Sequence, residues 1–434
     1  MKRKLLAAAA LIALTACGLD GTDAEQEPAE PASTASASRN TDLGYEPMSE
    51  DNYADTMASD DERHLSAGSG QGSASERSSA QDGNLASNGA DITDPEQRPI
   101  MQLQVVLDRQ AFGPGVIDGE MGPSTRNALE GFQEANDLEV TGELNDETRE
   151  ALARWDRIPA TRVVTIPASW GDIEYAEVPD DPAEQAQMDR LGYESLDEKL
   201  AERFHTTIEV LRQLNPGGRP AGAGGSPSGG SSTPAPTSTP TPTASASTAT
   251  AGDDSFFAAG QRVRVPNIGA DRISPDAISD RGWQQTLASL GVGTQQPEVA
   301  RVVVDESEGW LKGYDSEDNL VAMFTVTTGS SNDPLPVGEW GVTGVGRNPP
   351  FSYQPELFWD VPDDEAEQQL PPGPNGPVGV VWIDLTKENY GIHGTNAPQT
   401  IGRAQSHGCV RLTNWDAARL AGMVNTQTEV IFQT

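Results

Sequence analysis

The chain has 434 residues, with 66 acidic against 29 basic side chains and a formal charge of −37. A surface of that sign repels nucleic acid and anionic headgroups, so neither is an expected partner. The length allows about three domains of ordinary size, although much of the chain is poor in apolar residues.

Residues 1–16 read as an export signal: Lys2, Arg3 and Lys4, then the apolar run Leu5 to Ala16. That run is too short to span a bilayer, which takes about 20 residues. Leu14-Thr15-Ala16-Cys17 resembles a lipobox, which implies lipidation of Cys17 and an anchor in a membrane. Gly18 follows the cysteine, which resembles cargo sent to the periplasmic face of an outer membrane. Residues 17–97 are expected to be a disordered acidic linker, because 18 Asp and Glu against 3 Lys and Arg between 18 and 97 leave little apolar surface to bury. A coil of that length spans about 50 Å, enough to reach from a membrane to a wall.

Helical periodicity begins near Pro99. Leu103, Val106 and Leu107 share one face; Ala128, Leu129 and Phe132 recur after Gly122-Pro123-Ser124; Asn145 is placed to cap a third helix carrying Thr148 and Leu152. Three short amphipathic helices make a small bundle over 98–157. The run VIDGEMGPSTRNALEGFQEANDLEVTGELNDETREAL resembles the peptidoglycan-binding domain type 1. A helical spacer that binds nothing would show the same periodicity.

Two further helices are expected around Tyr193–Phe204 and Val210–Leu214, stopped by Asn215-Pro216-Gly217. A Gly, Ser, Thr and Pro tether follows over 217–252, then a short strand in Gly260–Pro266. The helices and strand resemble a LysM-like module over 158–268 split by the tether, which implies binding to glycans with N-acetylated sugars. No clear first strand precedes the helices. His205 is expected to end its helix in a structural role, and 269–296 reads as a connector.

From Val299 the pattern changes to strands: VARVVVDE, GWLKGYD, NLVAMFTVTTG, GEWGVTGV, VGVVWIDL and EVIFQT. Thr413-Asn414-Trp415-Asp416 reads as a capping box for one late helix. The expected fold class is therefore multidomain α+β, with a mainly β, sandwich-like domain over 297–434.

The chemistry concentrates in Tyr390–Leu412, which holds His393, His407 and Cys409 among glycines. A thiol attacks as thiolate, and a neighbouring imidazole is its usual activator. Gly394, Gly402 and Gly408 permit tight turns that aim backbone N–H groups at a reacting carbonyl. Two other uses remain open. The two histidines and the thiol could be three zinc ligands, although a closed site wants a fourth. Cys409 could also be an inert, packed side chain. A disulfide is nearly excluded, because the other cysteine sits in the export signal.

IHGT followed by SHGCVRL resembles the signature of the L,D-transpeptidase (YkuD-type) catalytic domain, with supporting similarity in PLPVGEWGVTGV and PPGPNGPVGVVWIDL. The resemblance implies Cys409 as acylated nucleophile, His393 as base, the Gly394 carbonyl as its orienting acceptor, and His407 and Gly408 as the oxyanion site. Arg411 and Ser406 are candidate substrate contacts; packing of Arg411 against the loop is the alternative. The implied activity joins peptidoglycan tetrapeptide stems by 3→3 cross-links, with no metal and no cofactor. Alternatives are an L,D-carboxypeptidase, an enzyme attaching protein to peptidoglycan, or a non-catalytic tether between outer membrane and wall.

Overall fold

The computed structural model describes residues 92–223, 255–269, 273–274, 278–358, 361, 365–403, 406 and 408–434. The export signal, Cys17, His407, most of the acidic linker and most of the tether lie outside the described residues.

Helices α1 (Pro99–Arg109) and α2 (Pro123–Ala135) both open with proline, whose missing N–H costs nothing in a first turn. The third, α3 (Asp146–Leu152), is capped by Asn145, whose side chain accepts from the Thr148 N–H at 2.8 Å. Leu103, Leu107, Ala128, Leu129, Phe132 and Leu152 form one buried cluster, the expected three-helix core. That core is not closed on itself. Trp310, Leu320 and Met323, from strands far along the chain, complete it.

The join is close because α2 carries Gly131 where it meets the sheet. A Cβ added at Gly131 would stand 2.8 Å from the Met323 Cβ, which its backbone holds in place. Gly131→Ala should gain about 1 kcal/mol of helix propensity yet lose about 1–3 kcal/mol to overpacking. The clash wins, so a thermal melt of this variant should show a lower Tm.

The second segment is a β-α-α-β unit. Strand β2 (Thr161–Thr165) precedes α4 (Leu196–Arg203) and α5 (Ile208–Leu214), and β3 (Arg262–Pro266) follows. Ser195 and Thr207 cap the two helices through their hydroxyls. The strands pair antiparallel from Thr161↔Pro266 to Thr165↔Arg262. The expectation that no strand precedes the helices is thereby corrected. TRVVT is short and half polar, and only its distant partner makes it a strand. The connector is also more ordered than expected, since it holds α6 (Arg281–Leu290), capped by Asp280.

The third segment supplies β4 (Arg301–Asp305), β5 (Trp310–Tyr314), β6 (Leu320–Thr325), β7 (Gly338–Arg347), β10 (Val381–Leu385), β11 (Gly391–His393), β12 (Val410–Arg411) and β13 (Glu429–Gln433). A small hairpin of β8 (Phe351–Tyr353) and β9 (Gln368–Leu370) stands apart from them. With β1 (Phe112–Gly113) from the first segment, the strands link in the order β1-β6-β5-β4-β13-β7-β10-β11-β12. The class is mixed α+β as expected. Its strands form one continuous ladder, and its first edge is lent by the helical bundle through parallel pairing of Phe112 with Met323.

Helix α7 (Asn414–Met423) begins at the expected cap, where the Thr413 hydroxyl accepts from the Asp416 N–H at 3.1 Å. Its buried side binds the three segments together. Arg419 donates two hydrogen bonds to Asp108 of α1, at 3.0 and 3.1 Å. His205, just after α4, places Nδ1 3.0 Å from the same carboxylate and Nε2 2.8 Å from the Leu290 carbonyl. Its ring stacks on Trp415 at 4.8 Å between centroids. The structural role expected of His205 is thus played between segments.

Candidate active site

His393 ends β11 and Cys409 immediately precedes β12, and these two short strands run parallel with Ile392 opposite Val410 and His393 opposite Arg411. Sixteen intervening residues therefore return the chain to the same strand edge. The Leu412 N–H donates to the His393 carbonyl at 2.8 Å and locks the register.

The His393 ring is buried, with Nδ1 2.7 Å from the Gly394 carbonyl. A carbonyl only accepts, so Nδ1 carries the hydrogen and Nε2 is left with its lone pair. Trp382, directly opposite on β10, stacks on the ring with centroids 5.5 Å apart. Burial and the neighbouring Arg411 guanidinium lower the imidazole from its usual value to about 4, against the Gly394 hydrogen bond, which works to raise it. His393 is therefore neutral at ordinary pH.

Cys409 is half-buried. Burial raises its thiol above the usual cysteine value, partly offset by a backbone hydrogen bond from Gly391 and by Arg411. Gly391 lies two positions before His393 on the same strand, so the thiol is held against the strand that ends in His393. The thiol also points at the Asn389 carbonyl, 3.9 Å away. At neutral pH the two groups are therefore a neutral thiol and a neutral imidazole.

Gly408 is required twice over. Its φ is +97°, and a Cβ there would lie 2.7 Å from the Tyr390 ring. Ser406, a candidate substrate contact, is buried, and its hydroxyl donates to the Cys409 carbonyl at 2.6 Å. Its N–H donates to the Thr328 carbonyl. The geometry makes it a brace of the nucleophile loop. Arg411 is held by an antiparallel bridge to Thr327, and its charge acts on both Cys409 and His393.

A cleft of about 530 Å³ begins at Thr327 and runs past Thr328, Gly329 and Ser330 to Glu306 and Glu308. Sequence reasoning opened the reactive stretch at Tyr390 but missed Trp382 and Asp333 as neighbours of the site. Only strand register brings Trp382 over the base, and Asp333 lies in an irregular loop with no motif to mark it.

Residues 300–432 match the L,D-transpeptidase catalytic domain (YkuD), and residues 96–152 match the putative peptidoglycan binding domain. The putative L,D-transpeptidase YkuD of Bacillus licheniformis is 51% identical over 146 residues, covering 34% of this chain and 73% of the relative. The probable L,D-transpeptidase YbiS of Escherichia coli is 30% identical over 183 residues, covering 41% of this chain and 58% of its own length. Among solved structures, an L,D-transpeptidase from Mycobacterium smegmatis overlaps 32% of this chain and 59% of its own at 20% identity and a TM-score of 0.26, too slight an overlap to add to the fold described above. The extent of the first relative that is matched at that identity, together with the catalytic-domain match over the segment that holds His393 and Cys409, shows that this chain belongs to the L,D-transpeptidase (YkuD) family.

Proposed function

We propose that the chain is a cysteine-dependent L,D-transpeptidase that forms 3→3 cross-links between peptidoglycan stems. The observation that supports this reading is the hydrogen bonding of His393: Nδ1 is committed to the Gly394 carbonyl, which leaves Nε2 as a neutral base, on the strand that pairs with the one Cys409 leads into. Nε2 takes the Cys409 proton as sulfur attacks the carbonyl of an L-configured stem residue. N–H groups around Gly408 and Cys409, with His407, hold the oxyanion. The C–N bond to the terminal D-alanine breaks, and the imidazolium returns its proton to that leaving amine. A stem amine then attacks the thioester, its proton passes to His393, and the thiol is restored. Arg411, charged and close to both groups, is suited to a substrate carboxylate.

The 98–157 bundle, and the β-α-α-β unit over 158–268 as a LysM-like glycan reader, hold the enzyme on its polymer. The LTAC run ending at Cys17 supports a lipid anchor, and with it a place on the periplasmic face of the outer membrane. The test is incubation of the full chain with disaccharide-tetrapeptides, with product masses read against Cys409→Ala. Cross-linked dimers lacking one D-alanine are expected from the wild type alone. Tripeptides without dimers would make it a carboxypeptidase, and no product would leave a tether.

A further inference from the structure

One side chain touches the loop that aims the base without belonging to the motif. Asn414, the first residue of α7, is fully buried. Its Oδ1 accepts from the Val380 N–H at 3.1 Å and rests directly against the α-carbons of Gly394 and Gly379, where any Cβ would collide with it. Gly394 is the residue whose carbonyl holds His393 Nδ1. The amide nitrogen of Asn414 uses both hydrogens, one to the Pro374 carbonyl at 3.1 Å and one to Glu202 Oε1 at 2.7 Å. The oxygen therefore cannot exchange places with the nitrogen without setting donor against donor and acceptor against acceptor.

Glu202 does not come from the catalytic domain. It sits at the end of α4, in the β-α-α-β unit, and is itself buried. Burial pushes its carboxyl up to about 7, with Tyr193 and Asn414 as hydrogen-bond partners and Glu198 and Lys199 as the facing charges. A buried acid of this kind costs stability, and a well-packed apolar side chain would serve a purely structural contact as well or better.

We infer that Glu202 and Asn414 are positioning residues for His393, so that the β-α-α-β unit completes the catalytic apparatus as well as flanking it. Glu202 orients the Asn414 amide, the amide oxygen seats Gly394, and the Gly394 carbonyl keeps Nε2 turned toward the thiol. Without the carboxyl, one amide hydrogen is left unpaired in a dry site and the amide is released from its glycine seat. The inference rests on the His393–Cys409 reading given above.

The experiment follows acylation of the full chain by meropenem, separating the limiting rate from the half-saturating concentration, with Tm measured in parallel. Glu202→Gln keeps an acceptor and should acylate within about 2-fold of wild type. Glu202→Met fills the same space without one, and its limiting rate should fall on the order of 10-fold at an unchanged half-saturating concentration. A merely structural role would lower Tm and leave the limiting rate where it was. Should Glu202→Met not fold, Asn414→Asp decides. Its shape is preserved, but it sets a second acid against Glu202, and the limiting rate should fall on the order of 10-fold at about pH 8. Wild-type limiting rates in folded Glu202→Met, or in Asn414→Asp, overturn the inference. A wild type that takes no adduct at Cys409 defeats the catalytic reading instead.

Discussion

His393→Ala should slow acylation of Cys409 in the full chain by about 10²–10⁴-fold at neutral pH. The size follows from the resting state. Burial raises the thiol, so little thiolate exists in advance, and the proton must leave during attack. The wild-type base is available over a wide range because burial and Arg411 lower it to about 4. Its active form is the neutral one, so the rate should hold as pH falls through 6 and be lost only as pH falls through about 4. A free imidazole would lose activity near 6.5. Without the base, the variant depends on spontaneous ionisation, and its residual rate should climb about tenfold per pH unit between neutrality and the raised thiol value. Intact-protein mass spectrometry after timed meropenem exposure, with peptide mapping to Cys409, reads both profiles. A wild-type acid limb at 6 to 7, or a variant rate indifferent to pH, would contradict the assignment of His393 as a neutral general base.

Asp108→Leu should cost about 3–5 kcal/mol in a denaturant or thermal melt, among the largest effects of any single change in the chain. Asp108 and Arg419 are both buried and joined by two hydrogen bonds. Burial alone would raise the carboxyl, but Arg419 and His205 overcome it and hold Asp108 well below the usual carboxylate range. Removing the acid takes two hydrogen bonds from the buried Arg419 guanidinium, leaving Asp416 at 3.8 Å as a looser counter-charge, and takes away the Nδ1 partner of His205. Because the pair links α1 to α7, the loss should be felt by the helical bundle and the catalytic domain together, as one cooperative shift. Asp108→Leu with Arg419→Leu removes both charges and should recover much of the stability. Equal losses in the single and double variants would show that packing volume, not the broken ion pair, sets the cost.

The sequence determined what is local. Asn145, Thr207 and Thr413 cap helices because a side-chain oxygen reaches a backbone N–H three residues on, whatever the tertiary context. The helical faces of the bundle were legible for the same reason, since Leu103, Leu107, Ala128 and Phe132 recur at the helix period. The candidate site was legible because His393, Gly394, Gly408 and Cys409 lie within one short return of chain. Tertiary structure decided the rest. Strand β2 exists by pairing with residues about a hundred positions away, and TRVVT has neither the length nor the alternation to announce it. Whether the flanking segments hang as separate beads or pack into the enzyme could not be read either. Phe112 lends a strand to the sheet, and Trp310 and Met323 finish the core of the bundle. Asp108 meets His205 and Arg419 across 97 and 311 positions, and Glu202 meets Asn414 across 212. Such pairs carry no periodicity. A lone Asp or Glu in a helix reads as a solvated face, and only burial, by withdrawing water, makes its partner indispensable.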